Sequence, residues 1–202
     1  LELASAIRIL HRRHLCHRDI KPANVMVERS TGLIKVVDLG SAKDYSTAQK
    51  VDLTRGIGDL PVTSRYVPPH IDLNGQDALT EEQAREMDVY ACSMVFLELL
   101  WSAATGRPFV PEVVDVNRWR GIFQRFSEPL RKTMTTVISA LSAHPSAKDC
   151  KRPSTAAQLC AMLAQLRSTP EFSIEAGRPL RQPEGRTATA RGLGPPPNQK
   201  TT

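Results

Sequence analysis

HRDIKPAN, residues 17–24, sets a histidine, an arginine, an aspartate, a lysine and an asparagine within eight positions around a single proline. A buried core has no use for such a set. Upstream, Leu3, Ile7, Leu10 and His14 recur at three- and four-residue steps, which is one face of an amphipathic helix running into the motif. Downstream, VMVE and LIKVV are β-rich runs separated by RSTG, whose serine, threonine and glycine supply turn chemistry. The motif therefore lies between a helix end and a hairpin. With the turn centred on Ser30 and Thr31, paired residue numbers sum to about 61 or 62, so Asn24 falls beside Val37 or Asp38. Opposed residues lie roughly 5 Å apart, which brings an amide oxygen and a carboxylate together at the open end of the hairpin. Hard oxygen ligands with positions left for water and phosphate suit Mg²⁺. Asp19 is then free to take a proton from an attacking hydroxyl, and Lys21 to neutralise a transferred phosphoryl group.

Composition narrows the class. A chain of 202 residues is long enough for one domain with a core, or one domain and a tail. The run Val89 to Trp101 is apolar but too short to cross a bilayer, so no membrane span is expected. Cys16, Cys92, Cys150 and Cys160 fall at unpatterned spacings, giving neither a disulfide framework nor a zinc signature. Reduced thiols and no basic-then-apolar leader lead to an expectation of cytoplasmic or nuclear location. The net charge of +6 comes from lysines and arginines interleaved with acids, a solvated surface rather than a nucleic-acid footprint. His11, His14 and His144 lack metal-ligand spacing and read as structural or solvent-facing.

Further along, residues 38–70 lose periodicity and carry Gly56, Gly58, Pro61, Pro68 and Pro69, a length of loop that is usually functional or disordered. Within it GIGDLP begins like a phosphate-cradling loop, but Pro61 replaces the third glycine and no strand-to-helix context surrounds it. Thr80 with Gln83 forms a capping box that opens a helix apolar nearly all round, closed by Gly106 and Pro108. A short helix is expected near Val116 to Phe126, another through Leu130, Met134, Val137, Ile138 and Leu141, and a last one through Ala156, Leu159, Cys160, Leu163 and Leu166. From about Ser168 to the end, proline, glycine, arginine and threonine dominate, and residues 168–202 are expected to be a disordered tail.

His17-Arg18-Asp19, Lys21 and Asn24, followed by Asp38-Leu39-Gly40, resemble the catalytic loop and metal-binding motif of eukaryotic protein kinases. The six polar positions among these, at fixed offsets, arise by chance at roughly one in ten million starts or rarer, at about 5% usage per residue. The likeness continues through Thr63, Tyr66 and Pro69 as the end of an activation segment, Asp88-Val89-Tyr90 as the start of a central hydrophobic helix, Gly106-Arg107-Pro108-Phe109 as the loop after it, and Lys151-Arg152-Pro153-Ser154 before the final helix. The resemblance implies a mainly α fold with a short β-hairpin, a protein-kinase-like C-lobe over 1–167 with catalytic loop 17–24 and activation segment 38–70. It implies a serine/threonine kinase acting on protein hydroxyls with ATP and Mg²⁺ or Mn²⁺. Asp19 would be the catalytic base, Lys21 a γ-phosphate contact, and Asn24 and Asp38 the metal holders. Met26 would lie nearest the adenine, His17 and Leu39 would pack the cleft floor, and Asp88 would cap backbone amides of the catalytic loop. Lys21 with Thr63 in the substrate-facing loop is the serine/threonine pattern.

The sequence also departs from that pattern. The family ends the activation segment with a glutamate paired to the arginine aligned with Arg152, whereas this chain has His70. A histidine cannot replace a carboxylate opposite a guanidinium, so that ion pair is absent unless Asp72 substitutes. Ser93 stands where the central helix normally has glycine. Asp59, four residues before Thr63, has two readings open to it: a loop charge, or a weak permanent anion for Arg18 where relatives carry a phosphorylated residue. No glycine-rich loop, strand lysine or helix glutamate precedes the motif in this chain. The expectation is an N-lobe missing from it, supplied as a partner segment, with the chain alone inactive. The alternative is a pseudokinase or interaction module that keeps the fold without phosphotransfer.

Overall fold

A computed structural model of the chain describes residues 1–46, 64–71, 79–107, 119, 121, 123–124, 127–142 and 152–169. Helix α1, Glu2–Arg12, buries Leu3, Ala4, Ile7 and His11 on one face and carries Glu2 in its first turn and Arg12 in its last, charges that complement the helix dipole. His11, not His14, is the histidine on the buried face. His14 sits past the helix end in a left-handed conformation, with φ 57°, and is exposed.

Strand β1, Leu15–Cys16, follows at once, then a 3₁₀ turn at Pro22–Asn24 and strands β2, Val25–Val27, and β3, Ile34–Val36. β2 and β3 pair antiparallel with Val25 opposite Val36, Met26 opposite Lys35 and Val27 opposite Ile34. Of the two registers open to the sequence the chain takes the lower sum. Asn24 thus lies across Val37, whose amide donates to the Asn24 carbonyl at 2.9 Å. Gly32 closes the loop at φ 70°, a left-handed value that a side chain would strain.

A second 3₁₀ turn, Leu39–Ser41, leads to β4, Lys43–Asp44, which pairs antiparallel with β1. This small sheet was not expected, because two-residue strands are too short to show alternation. The expectation that residues 38–70 lack regular structure is thereby corrected at β4 and at a 3₁₀ turn over Ser64–Tyr66. Both sheets lie in the N-terminal part, and the rest of the described chain is helical.

Helix α2, Glu81–Thr105, opens on the Thr80–Gln83 capping box and stops at Gly106, φ 67°. Its middle is buried on several faces: Met87, Asp88, Val89, Ala91, Cys92, Ser93, Met94, Val95 and Leu97 are all inaccessible or nearly so. Ser93 is tolerated there because its hydroxyl donates to the Val89 carbonyl one turn back, at 2.8 Å. Helix α3, Glu128–Ser142, buries Leu130, Met134, Val137, Ile138 and Leu141. Helix α4, Ala156–Arg167, has its own capping box, Thr155 with Gln158, and buries Ala156, Leu159, Cys160, Leu163 and Leu166. These four helices share one core, with α1 packed on α4 and α2. Trp119 and Phe123 join it, stacked at 5.9 Å between ring centroids, with Trp101 edge-on to Trp119 at 5.2 Å.

A smaller apolar cluster of Cys16, Ile71, Leu79, Ala84 and Met87, flanked by Tyr45 and Val67, joins β1 to the start of α2 and the segment before it. Cys16, Cys92 and Cys160 are buried free thiols. Among the described residues no helix is long and apolar enough to cross a membrane. The helix expected near 116–126 falls mostly outside the described residues, as do GIGDLP, Asp59, Thr63, Asp72, His144, Cys150 and nearly all of the expected tail.

Candidate active site

The site is built where the end of α1, the hairpin and α2 meet. Asp88, fully buried in α2, turns its carboxylate onto the backbone of residues 17 and 18. The amide of His17 donates to Oδ2 at 2.8 Å and that of Arg18 to Oδ1 at 2.7 Å. His11 Nε2 meets the same Oδ2 at 3.0 Å. A carboxylate in a dry core needs such donors, and these in turn hold Arg18 in a left-handed conformation, φ 65°. The loop is thereby bent back over α2. Cys16 Sγ lies 4.0 Å from the Glu81 carbonyl. Burial, then the Asp88 carboxylate, pushes the Cys16 thiol up to about 12. His11, Cys16 and Asp88 offer three ligand atoms within 4.8 Å of one another. Their polar atoms are already engaged with each other and with backbone, so the cluster reads as an anchor for the loop.

His17 is itself fully buried. Its Nε2 lies 3.1 Å from the Val37 carbonyl and its Nδ1 accepts from the Asp19 amide at 3.3 Å. The first contact requires a proton on Nε2 and the second a lone pair on Nδ1, so the ring is the neutral Nε2–H tautomer, tying the loop to β3's end.

Asp19 is 6% exposed. Its Oδ2 accepts from Lys21 Nζ at 2.7 Å and from Asn24 Nδ2 at 3.0 Å, and Asn24 Nδ2 also donates to the Asp19 carbonyl at 2.8 Å. Both amide hydrogens of the buried Asn24 therefore face Asp19, which leaves its Oδ1 as the atom able to accept or ligate. Asp38 sits one residue beyond Val37 in a left-handed conformation, φ 62°, with Oδ1 accepting from the Gly40 amide at 3.2 Å and the side chain exposed. Asn24 Oδ1 and the Asp38 carboxylate are hard oxygen donors of the kind that suit Mg²⁺ or Mn²⁺.

The apolar side chains beside this set face outward. Met26 is 55% exposed, Val27 60% and Leu39 60%, with Val37 also open. Arg18 Nε donates to the Ser41 carbonyl at 2.6 Å, binding the loop to the turn after Asp38. Arg152 lies with its guanidinium 4.0 Å from the Tyr90 ring centroid. His70 Nε2 is 3.2 Å from Glu86 Oε1. Tyr66, buried, donates its hydroxyl to Glu98 Oε2 at 2.5 Å, and burial, then Glu98, pushes that phenol well above its usual range.

Sequence reasoning missed two participants. His11 falls four residues after Ile7, on the buried stripe, and a polar residue at such a position was the available signal. Glu86 gave none, since a glutamate near a helix start is ordinary.

A family model described as protein kinase domain matches residues 1–169. A serine/threonine-protein kinase of Yarrowia lipolytica is 31% identical over 139 residues, 66% of this chain and 18% of that protein. Cyclin-dependent kinase 2 of Caenorhabditis elegans is 30% identical over 138 residues, 68% of this chain and 33% of that protein. The serine/threonine-protein kinase PknA of Corynebacterium glutamicum is 33% identical over 108 residues, 54% of this chain and 20% of that protein. The chain thus spans a third or less of each of these relatives.

Proposed function

The chain belongs to the protein kinase family, and on that premise we propose that it carries the catalytic-loop half of a serine/threonine kinase, moving the ATP γ-phosphoryl group to protein hydroxyls. Residues 1–167 form the C-lobe in this reading and 168–202 a tail beside it. The observation that carries the proposal is the Asp19 carboxylate, held in a dry loop between Lys21 Nζ and Asn24 Nδ2. A carboxylate fixed in this way has one orientation to offer a substrate hydroxyl, whose proton it accepts as the oxygen attacks phosphorus. Lys21, the cation at its side, faces the charge on the transferred group. Asn24 Oδ1 and Asp38 would hold Mg²⁺ or Mn²⁺, which when bound supplies neutralising charge to phosphate oxygens. The exposed side chains of Met26, Val37 and Leu39 support a nucleotide floor over which a further lobe closes, Met26 under the base. Thr63 and Asp59 retain their proposed parts in substrate contact and as an anion for Arg18.

Radiolabelled phosphate transfer from ATP to a mixed protein substrate tests this, using the intact protein that carries the chain. Asp19→Asn should lower the signal by about 100-fold or more, the range expected for a general base. Equal transfer by both forms would overturn the enzymatic reading and leave that of an interaction module.

A further inference from the structure

The segment ahead of α2 departs from its family at His70, and the structure gives that residue a partner. Pro68 accepts the Ile71 amide at 3.0 Å, closing a four-residue turn with Pro69 at the second position, where its fixed φ favours the turn, and His70 at the third. The turn is seated from two sides. Ile71 is buried against Cys16, Leu79, Ala84 and Met87, and Tyr66 is buried with its hydroxyl on Glu98. From this rigid base His70 Nε2 reaches Glu86 Oε1 at 3.2 Å, both side chains about a third exposed. A donor ring nitrogen and a carboxylate are complementary, and the turn fixes one partner in advance, so little ordering is required to bring them together.

We propose that His70 is a positioning residue that latches the end of the substrate-facing segment to α2 through Glu86; the proposal rests on the kinase reading. Three consecutive residues of α2 then do three holding jobs. Glu86 takes the His70 ring, Met87 packs under Ile71, and Asp88 caps the amides of His17 and Arg18. The substrate platform and the catalytic loop share one stretch of helix, so a shift of the segment is a shift relative to Asp19. Arg152 lies over the Tyr90 ring, one turn along α2 from Glu86. A partly exposed single contact is weaker than a bidentate carboxylate–guanidinium pair. The segment end is accordingly held by a contact that opens readily.

The test reads backbone hydrogen exchange over residues 65–71 together with KM for a protein substrate, in the intact protein. His70→Glu sets two carboxylates against each other and Glu86→Lys sets two donors against each other. Each should speed exchange in the segment by about two- to fivefold, the range of a partly exposed pair, and raise KM by a similar factor with kcat nearly unchanged. The double variant His70→Glu/Glu86→Lys should return both quantities toward the starting values. Glu86→Gln, which keeps size and shape, should give the smaller loss of the same sign. Unchanged exchange in the single variants, additive effects in the double, or slower exchange in His70→Glu would each overturn the latch. If the protein transfers no phosphate, the exchange results still decide the latch while the kinase reading fails separately.

Discussion

Asp88 meets three donors in a place where a bare carboxylate would be very costly: the amides of His17 and Arg18 and the ring of His11. Truncating it leaves those groups buried without a partner, each at about 1–3 kcal/mol. Asp88→Ala should therefore destabilise the protein by roughly 3 kcal/mol or more on this reasoning, read as a lower urea midpoint, and should free the loop that orients Asp19. Asp88→Asn, which keeps one acceptor, should fall between. Asp19 depends on the same anchor at one remove, because its own amide donates to His17 Nδ1. The neutral tautomer of His17 thus links Val37 on the hairpin to the backbone of the proposed base.

At the scale of elements, short devices position long ones. Thr80 accepts the Gln83 amide at 3.2 Å while Gln83 Oε1 accepts the Thr80 amide at 3.0 Å, and Thr155 with Gln158 repeats the exchange at the start of α4. Thr80→Ala and Thr155→Ala should each cost about 1 kcal/mol of unfolding free energy, measured by denaturant titration. The first should also loosen the junction of α2 with β1, since Leu79 and Ala84 lie in the small cluster with Cys16. The hairpin behaves differently. β2 and β3 are three residues each and keep Met26 and Val27 open, so pairing and the Gly32 turn hold them rather than burial on both faces.

For the molecule as a whole, the apolar clusters are dry enough to change the chemistry of their thiols, Cys92 in the core shared by α1, α2, α3 and α4 and Cys16 in the smaller one. Burial pushes Cys92 up to about 12, as it does Cys16 with the help of Asp88. A raised thiol pKa means little thiolate below it, so at pH 8 iodoacetamide should leave both largely unmodified in the native state and alkylate them after denaturation, as read by peptide mass mapping; rapid native labelling of either would contradict the packing described. Much of this architecture was legible beforehand. Helical periodicity marked α1, α3 and α4, Thr80–Gln83 and Gly106 bounded α2, and RSTG bounded the hairpin, because each is a local pattern whose cause lies within a few residues. The β1–β4 pair was not legible, since two residues have no period and their partners are far apart in the chain. His11 was misplaced in favour of His14, because which histidine faces inward depends on where α1 stops and the backbone turns left-handed. The motif HRDIKPAN and its spacing to Asp38 were enough to place the chain in its family, for those residues lie close in sequence. Tertiary structure alone decided what surrounds them. A buried carboxylate must find donors wherever the fold brings them, so Asp88 reaches His11, and His70 finds Glu86, across separations that no local pattern encodes.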